Sequence, residues 1–119
     1  MTGESERALD LLEHITQAID RIQKYTKNGE DEFFNIEIIQ DAVIRNLEIV
    51  GEASRSIEKR FPEFAEKHAD LPLKSAYEMR NALSHGYFKI DLAVVWKTIQ
   101  SDLPKLRDQI DEILNDSER

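Results

Sequence analysis

The chain has 119 residues, no cysteine and a formal net charge of −8. This length suits a single domain over residues 1–119, and the lack of cysteine excludes disulfides, thiolate metal sites and a thiol nucleophile. The negative charge argues against broad nonspecific binding to nucleic acid, which depends on phosphate neutralisation by lysine and arginine. With a polar start and no apolar run of roughly 20 residues, the sequence predicts a cytoplasmic protein without a membrane partner.

Apolar residues at three- and four-residue steps predict an amphipathic first helix from about Ser5 to Thr26. His14 lies on this helix. We interpret it as a solvent-facing or packing residue and not as a metal ligand.

A second helix is predicted to begin with Asn35 as its N-cap and Phe34 packed over Ile39, and to run to about Arg60. Its apolar positions cover more than one stripe, so we expect it to be central, at a subunit interface, or both. Gly51 inside this helix costs about 1 kcal/mol relative to alanine. Close approach of another backbone would explain it, and a tolerated helix glycine is nearly as good an interpretation.

Glu48 and Glu52 form a carboxylate pair one helical turn apart on the second helix. Such a pair is compatible with metal binding or acid–base work. We favour ion pairing with Arg45 and Arg55, because the second acidic pair of a di-metal bundle is missing from the sequence. No metal site and no cofactor are therefore predicted.

Residues 62–72 predict short turns with one helical turn, and His68 lies there among charged residues, where we expect it to be exposed. A third helix is predicted to begin near Pro72, because proline is well placed in a first helical turn. Asp91 is predicted to cap the helix that follows.

The last helical region carries one apolar stripe that continues across a predicted break at residues 102–104. Its members are Leu92, Val95, Trp96, Ile99, Leu103, Leu106, Ile110 and Ile113. Because Trp96 lies on this stripe, we interpret it as a packed aromatic residue and not as a base-stacking platform. Helices joined by short connections predict an all-α, up-and-down helical bundle of four to five helices.

Four chemically versatile residues fall close together at the end of the predicted third helix: Arg80, Asn81, His85 and Tyr87. Asn81 and His85 are one helical turn apart and share a face, so the amide can orient the imidazole. Arg80 lies about 140° around the helix from His85, so one straight helix cannot bring the two together. Either the helix ends near His85, with Gly86 left-handed at its C-terminus, or a second copy of the chain completes the site.

The chemistry of this pattern suits cleavage of RNA by its own 2′-hydroxyl. His85 would assist proton transfer, and Arg80 would stabilise the charge that develops on phosphorus-bound oxygens, with no metal required. Asn81 would fix the imidazole. A purely structural interpretation is also available, since arginine, histidine and glycine are all favourable at a helix C-terminus. Spacing alone does not separate the two.

The stretch Arg80-Asn81-(three residues)-His85-Gly86-Tyr87 resembles the arginine–(four to six residues)–histidine motif of HEPN ribonucleases. Its His-x-Tyr ending is similar to that of the HepT toxins of HepT–MntA pairs. Further similarities lie in residues 48–53, 95–96 and 102–104. The resemblance implies a HEPN-like helical domain and an endoribonuclease toxin that cleaves tRNA or mRNA. It also implies a homodimer that forms its site between two subunits, without a cofactor.

The same resemblance implies a regulator. In a type VII toxin–antitoxin system of this kind, an MntA-like nucleotidyltransferase antitoxin transfers AMP from ATP to the tyrosine, here Tyr87. The added bulk and negative charge oppose binding of RNA phosphate. The alternative function is a noncatalytic helical module that binds a nucleotidyltransferase and presents substrate or nucleotide to it.

Overall fold

The computed structural model of the protein describes residues 3–84 and 90–117, and in these ranges every regular element is a helix. The elements are α1 (Gly3–Tyr25), α2 (Glu30–Asn35), α3 (Glu37–Arg60), α4 (Pro62–Lys67), α5 (Leu73–Ser84), α6 (Leu92–Lys97), a π-helical turn (Thr98–Asp102) and α7 (Leu103–Asp116). The predicted all-α bundle is confirmed. No helix in the described part of the chain is long and apolar enough to cross a membrane.

Helix α3 is the centre of the bundle, with α1 packed on one side and α5 on the other. Nε of Arg21 on α1 donates a hydrogen bond to Oδ1 of Asn46 on α3. Leu11, which comes before Arg21 in α1, lies beside residues 49–56 in the later part of α3. The two helices are therefore antiparallel. The core is made of aliphatic side chains that recur along each helix: Leu12, Ile15, Ile19 and Ile22 of α1, Val43, Leu47, Val50 and Ile57 of α3, and Leu103, Leu106 and Ile110 of α7. The central position of α3 explains most of the wide apolar surface predicted for the second helix, whereas Ile36 and Ile38 at its start are exposed.

The start of α3 differs from the prediction. Asn35 is not the N-cap; it ends α2, and its Nδ2 donates to the carbonyl of Asp31 at 2.7 Å. The N-cap of α3 is Ile36, without a side-chain cap. Helix α2 forms because Phe33 is fully buried and Gln40 Nε2 donates to its carbonyl at 2.9 Å. A six-residue helix is too short to show a helical period in the sequence.

The C-terminal region is one continuous helical rod. The carboxylate of Asp91 accepts from the backbone N–H of Ala93 at 3.0 Å and of Val94 at 3.4 Å, which confirms the predicted cap. The predicted break at 102–104 is wrong, because the π-helical turn carries the chain from α6 into α7 with helical dihedral angles at both ends. Apolar side chains before, within and after this turn are buried in the same core: Val95, Ile99, Leu103, Leu106 and Ile110.

Two aromatic predictions have different outcomes. Trp96 packs against the buried ring of Phe33, with centroids 5.2 Å apart, so its assignment to the core is confirmed. His68 is partly buried on Phe64, with ring centroids 4.5 Å apart, where we predicted an exposed residue. Burial, followed by the nearby charge of Lys67, lowers the pKa of His68, and Asp70 opposes that shift.

Gly51 lies where α3 and α5 cross, and it is buried. A Cβ atom at this position would lie 2.1 Å from Cβ of Arg80 and 3.0 Å from the carbonyl oxygen of Ala76. Neither neighbouring atom is the free end of a flexible side chain, so a methyl group has no room. This contact confirms the close backbone approach that the sequence suggested for Gly51 and rules out a merely tolerated glycine.

Gly51→Ala should lower the free energy of unfolding by about 1–3 kcal/mol, because overpacking a closed contact outweighs the gain of about 1 kcal/mol in helix propensity. Urea unfolding followed by circular dichroism measures this change. Arg45→Ala, at an exposed position of the same helix, is the matched control and should stay within about 0.5 kcal/mol of wild type. An unfolding free energy for Gly51→Ala equal to or above that of wild type would contradict the close contact between α3 and α5 at this position.

Candidate functional site

The crossing of α3 and α5 determines where Arg80 lies. Its Cβ and Cγ lie over Gly51, and 26% of its side chain is exposed. The guanidinium Nη2 donates to Oε1 of Glu52 on α3 at 3.1 Å, and Nη1 donates to Oδ1 of Asn81 on α5 at 3.1 Å. Arg80 is thus held by one group from each of the two crossing helices.

The Nε atom of Arg80 is buried, and it has no hydrogen-bond partner among the described residues. The guanidinium is therefore fixed through its two Nη groups, while a quarter of the side chain stays open to solvent. Guanidinium groups carry five N–H donors in a rigid fork, so the carboxylate and the amide use only part of the hydrogen-bonding capacity. This arrangement leaves a positioned cation that can still accept an anionic group.

Glu52 does not have the partner that the sequence suggested. We predicted ion pairs of Glu48 and Glu52 with Arg45 and Arg55 along the same helix, whereas Glu52 pairs with Arg80 of α5. The single-sequence pattern shows neighbours along one helix only, and the pair depends on where another helix crosses it. Among the described residues no three histidine or carboxylate side chains converge as metal ligands.

An open cleft of about 400 Å³ adjoins Arg80 and is lined by three helices. Helix α1 contributes Leu11 and His14, α3 contributes Glu52 and Arg55 among others, and α5 contributes Arg80. The cleft therefore combines two arginines and one imidazole with a single carboxylate. His14 and Arg55 were not predicted as site residues, because they come from separate helices and share no motif with Arg80.

The residues predicted for the site are described only in part. Arg80 and Asn81 are brought together by a hydrogen bond, so the amide next to the arginine supports it directly. His85 and Tyr87 lie outside the described residues, as do the neighbouring positions 86, 88 and 89. The predicted roles of His85, Asn81 and Tyr87 remain predictions.

Comparison with known proteins gives a family for this fold. The model of the Ribonuclease HepT-like family matches residues 15–113. A protein of Methanocaldococcus jannaschii named "Gamma-glutamylcyclotransferase and putative RNase" is 40% identical over 91% of this chain, and the match spans 48% of that longer protein. The "Probable ribonuclease HepT" of Thermococcus cleftensis is 37% identical over 87% of this chain and 93% of its own length.

No solved structure matches the chain. The family match covers most of the sequence, including Arg80 and the stretch that follows it, and a relative of nearly the same length carries the family's name. The expected resemblance is thereby confirmed: the chain belongs to the HepT-like ribonuclease family.

Proposed function

We propose that this chain is a metal-independent endoribonuclease and the toxin of a toxin–antitoxin pair, with Arg80 and His85 as its catalytic residues. The observation that carries the proposal is the fixed guanidinium of Arg80 at the edge of an open cleft whose charged lining residues are Arg55, Arg80 and Glu52. Membership of the HepT-like ribonuclease family supports the same substrate class.

The reaction uses the nucleophile that RNA carries itself. The 2′-hydroxyl attacks the adjacent phosphorus while His85 accepts or donates a proton, and the 5′-oxygen leaves. Arg80 faces the charge that grows on the non-bridging oxygens, where a preorganised donor is most effective. DNA lacks the 2′-hydroxyl and is predicted to stay intact.

Asn81 and Glu52 are positioning residues in this scheme. Asn81 accepts from Nη1 of Arg80, and it precedes His85 by four residues in the sequence, so we assign the orientation of both catalytic groups to this amide. Glu52 accepts from Nη2 and fixes the plane of the guanidinium. A fixed plane matters because bidentate phosphate binding requires two parallel N–H bonds.

A homodimer is part of the proposal, because one histidine does not readily serve as base and acid in the same turnover. Large apolar side chains are exposed on α2, at the start of α3 and on α6: Phe34, Ile36, Ile38 and Val94. Ile38 is 75% exposed. Exposed apolar groups of this size on neighbouring elements support a protein–protein contact, which we assign to the second copy.

Control of the enzyme is assigned to Tyr87, as the acceptor of AMP from an MntA-like nucleotidyltransferase antitoxin. The α-phosphorus of ATP is transferred to the phenolic oxygen, and pyrophosphate leaves. The phosphodiester adds negative charge only two residues from His85 in the sequence. Like charge and bulk there oppose entry of an RNA phosphate.

Expression of the wild-type chain alone should arrest growth, and Arg80→Ala and His85→Ala should each remove the effect. Both variants should lower RNA cleavage by about 10²–10⁴-fold, as expected for the loss of transition-state stabilisation or of a general acid–base. Cleavage of total RNA in the presence of EDTA measures this loss. His68→Ala, which removes a histidine outside the cleft, should stay active.

Arg80→Ala retains the Cβ that contacts Gly51, so its fold can be checked by circular dichroism. If folded wild-type protein leaves RNA intact and is harmless in cells, the ribonuclease proposal fails. The alternative function, a noncatalytic module that presents substrate or nucleotide to a nucleotidyltransferase, would then be favoured. Activity that is lost in EDTA and restored by a divalent cation would contradict metal independence.

Co-expression with an MntA-like nucleotidyltransferase antitoxin should add the mass of one or more AMP groups to the chain, as measured by intact-protein mass spectrometry. Tyr87→Phe should show no added mass and should stay toxic in the presence of the antitoxin. Tyr77→Phe is the matched control, because the Tyr77 hydroxyl is engaged with Glu58 at 3.3 Å. A mass shift that persists in Tyr87→Phe would place the modification elsewhere.

A further inference from the structure

We infer that His14 and Arg55 form a second phosphate-binding subsite, which holds the RNA backbone next to the phosphate at Arg80. This inference rests on the proposed ribonuclease function and extends it to residues outside the motif. It assigns a binding role and no part in the bond-breaking step to these two side chains.

The first argument is position. His14 of α1, Arg55 of α3 and Arg80 of α5 line the same open cleft, each from a different helix. His14 and Arg55 are exposed, so an incoming chain can reach them without displacing protein. Because α1 and α3 are long helices packed on each other, the two side chains are presented from fixed backbones.

The second argument is the fate of the carboxylates around Arg55. An arginine on a helix ordinarily pairs with acidic residues three or four positions away. Glu52, three positions before Arg55, is paired with Arg80, and Glu58, three positions after it, accepts from the Tyr77 hydroxyl. Arg55 makes no hydrogen bond or ion pair with any residue that the structure describes. Its guanidinium is therefore available to an external anion.

The third argument is charge. The chain as a whole carries −8, yet the cleft holds Arg55 and Arg80 against Glu52 alone, whose charge is used by Arg80. RNA carries one phosphate per nucleotide, so a strand with one phosphate at Arg80 brings others close by. Arginine binds phosphate oxygens through paired N–H groups, and an imidazole N–H of His14 can donate to the same group.

The test separates binding from cleavage. Fluorescence anisotropy should measure the Kd of a short RNA oligonucleotide with 2′-O-methyl riboses, which lacks the internal nucleophile. His14→Ala and Arg55→Ala should each raise that Kd about three- to tenfold, as expected for the loss of one solvent-exposed hydrogen bond. Arg55→Ala should also reduce the slope of log Kd against log salt by about 0.7, the value for one phosphate contact on a single strand.

Two controls match the lost groups. His68→Ala removes a histidine that directly follows α4, and Lys105→Ala removes an exposed cation from α7. Neither residue lines the cleft. Both should keep the wild-type Kd and salt slope. On a cleavable RNA, the defect of the His14 and Arg55 variants should appear in KM and not in kcat.

The outcomes distinguish the two proposals. If wild type binds and cleaves RNA while His14→Ala and Arg55→Ala behave like the controls, the subsite is refuted and the ribonuclease proposal stands. A fall in kcat with KM unchanged would also overturn the subsite, because it would place these residues in the chemistry. If folded wild type neither binds nor cleaves RNA, both proposals fall together.

Discussion

The near-contact between the backbones of α3 and α5 at Gly51 is the constraint on which the rest of this structure depends. With Cβ of Arg80 over Gly51, the two helices approach as closely as a missing side chain allows. That distance places Glu52, the next residue of α3, within 3.1 Å of the Arg80 guanidinium. A larger residue at position 51 would widen the crossing and separate the arginine from the carboxylate that orients it. Gly51 thus allows α3 and α5 to pack closely, and this close packing fixes the position of Arg80.

The Arg80–Glu52 ion pair also contributes little to the stability of the fold. The Glu52 side chain is 58% exposed, and exposed ion pairs contribute only about 0–1 kcal/mol. A phosphate can therefore share the guanidinium without a large loss of stability. The same pair prevents Glu52 from neutralising Arg55, so one carboxylate positions one arginine and leaves another available. In this way an acidic protein retains a cleft lined by two arginines and one carboxylate.

Much of the fold follows from periodicity and local chemistry, whereas contacts between helices do not. The long helices, the Asp91 cap and the packed position of Trp96 were predictable, because each depends on residues within a few positions of each other. Helix α2 was missed because burial of Phe33, a tertiary effect, stabilises a segment too short to show a period. For the site, Arg80 and Asn81 followed from the motif. The pairing of Glu52 with Arg80 and the cleft shared with α1 depend on how the helices cross. A single sequence does not show which residues of two helices lie opposite each other.

The division of the site between helices and motif also gives the proposed modification a physical logic. The proposed binding groups, His14 and Arg55, lie on α1 and α3, which are held by the core of the bundle. Modification of Tyr87 would therefore leave them in place. An AMP phosphodiester on that tyrosine would carry the charge that Arg80 and Arg55 attract in RNA. Under the proposed modification, this phosphodiester would compete with RNA phosphate for the same arginines, and inactivation would need no change of fold.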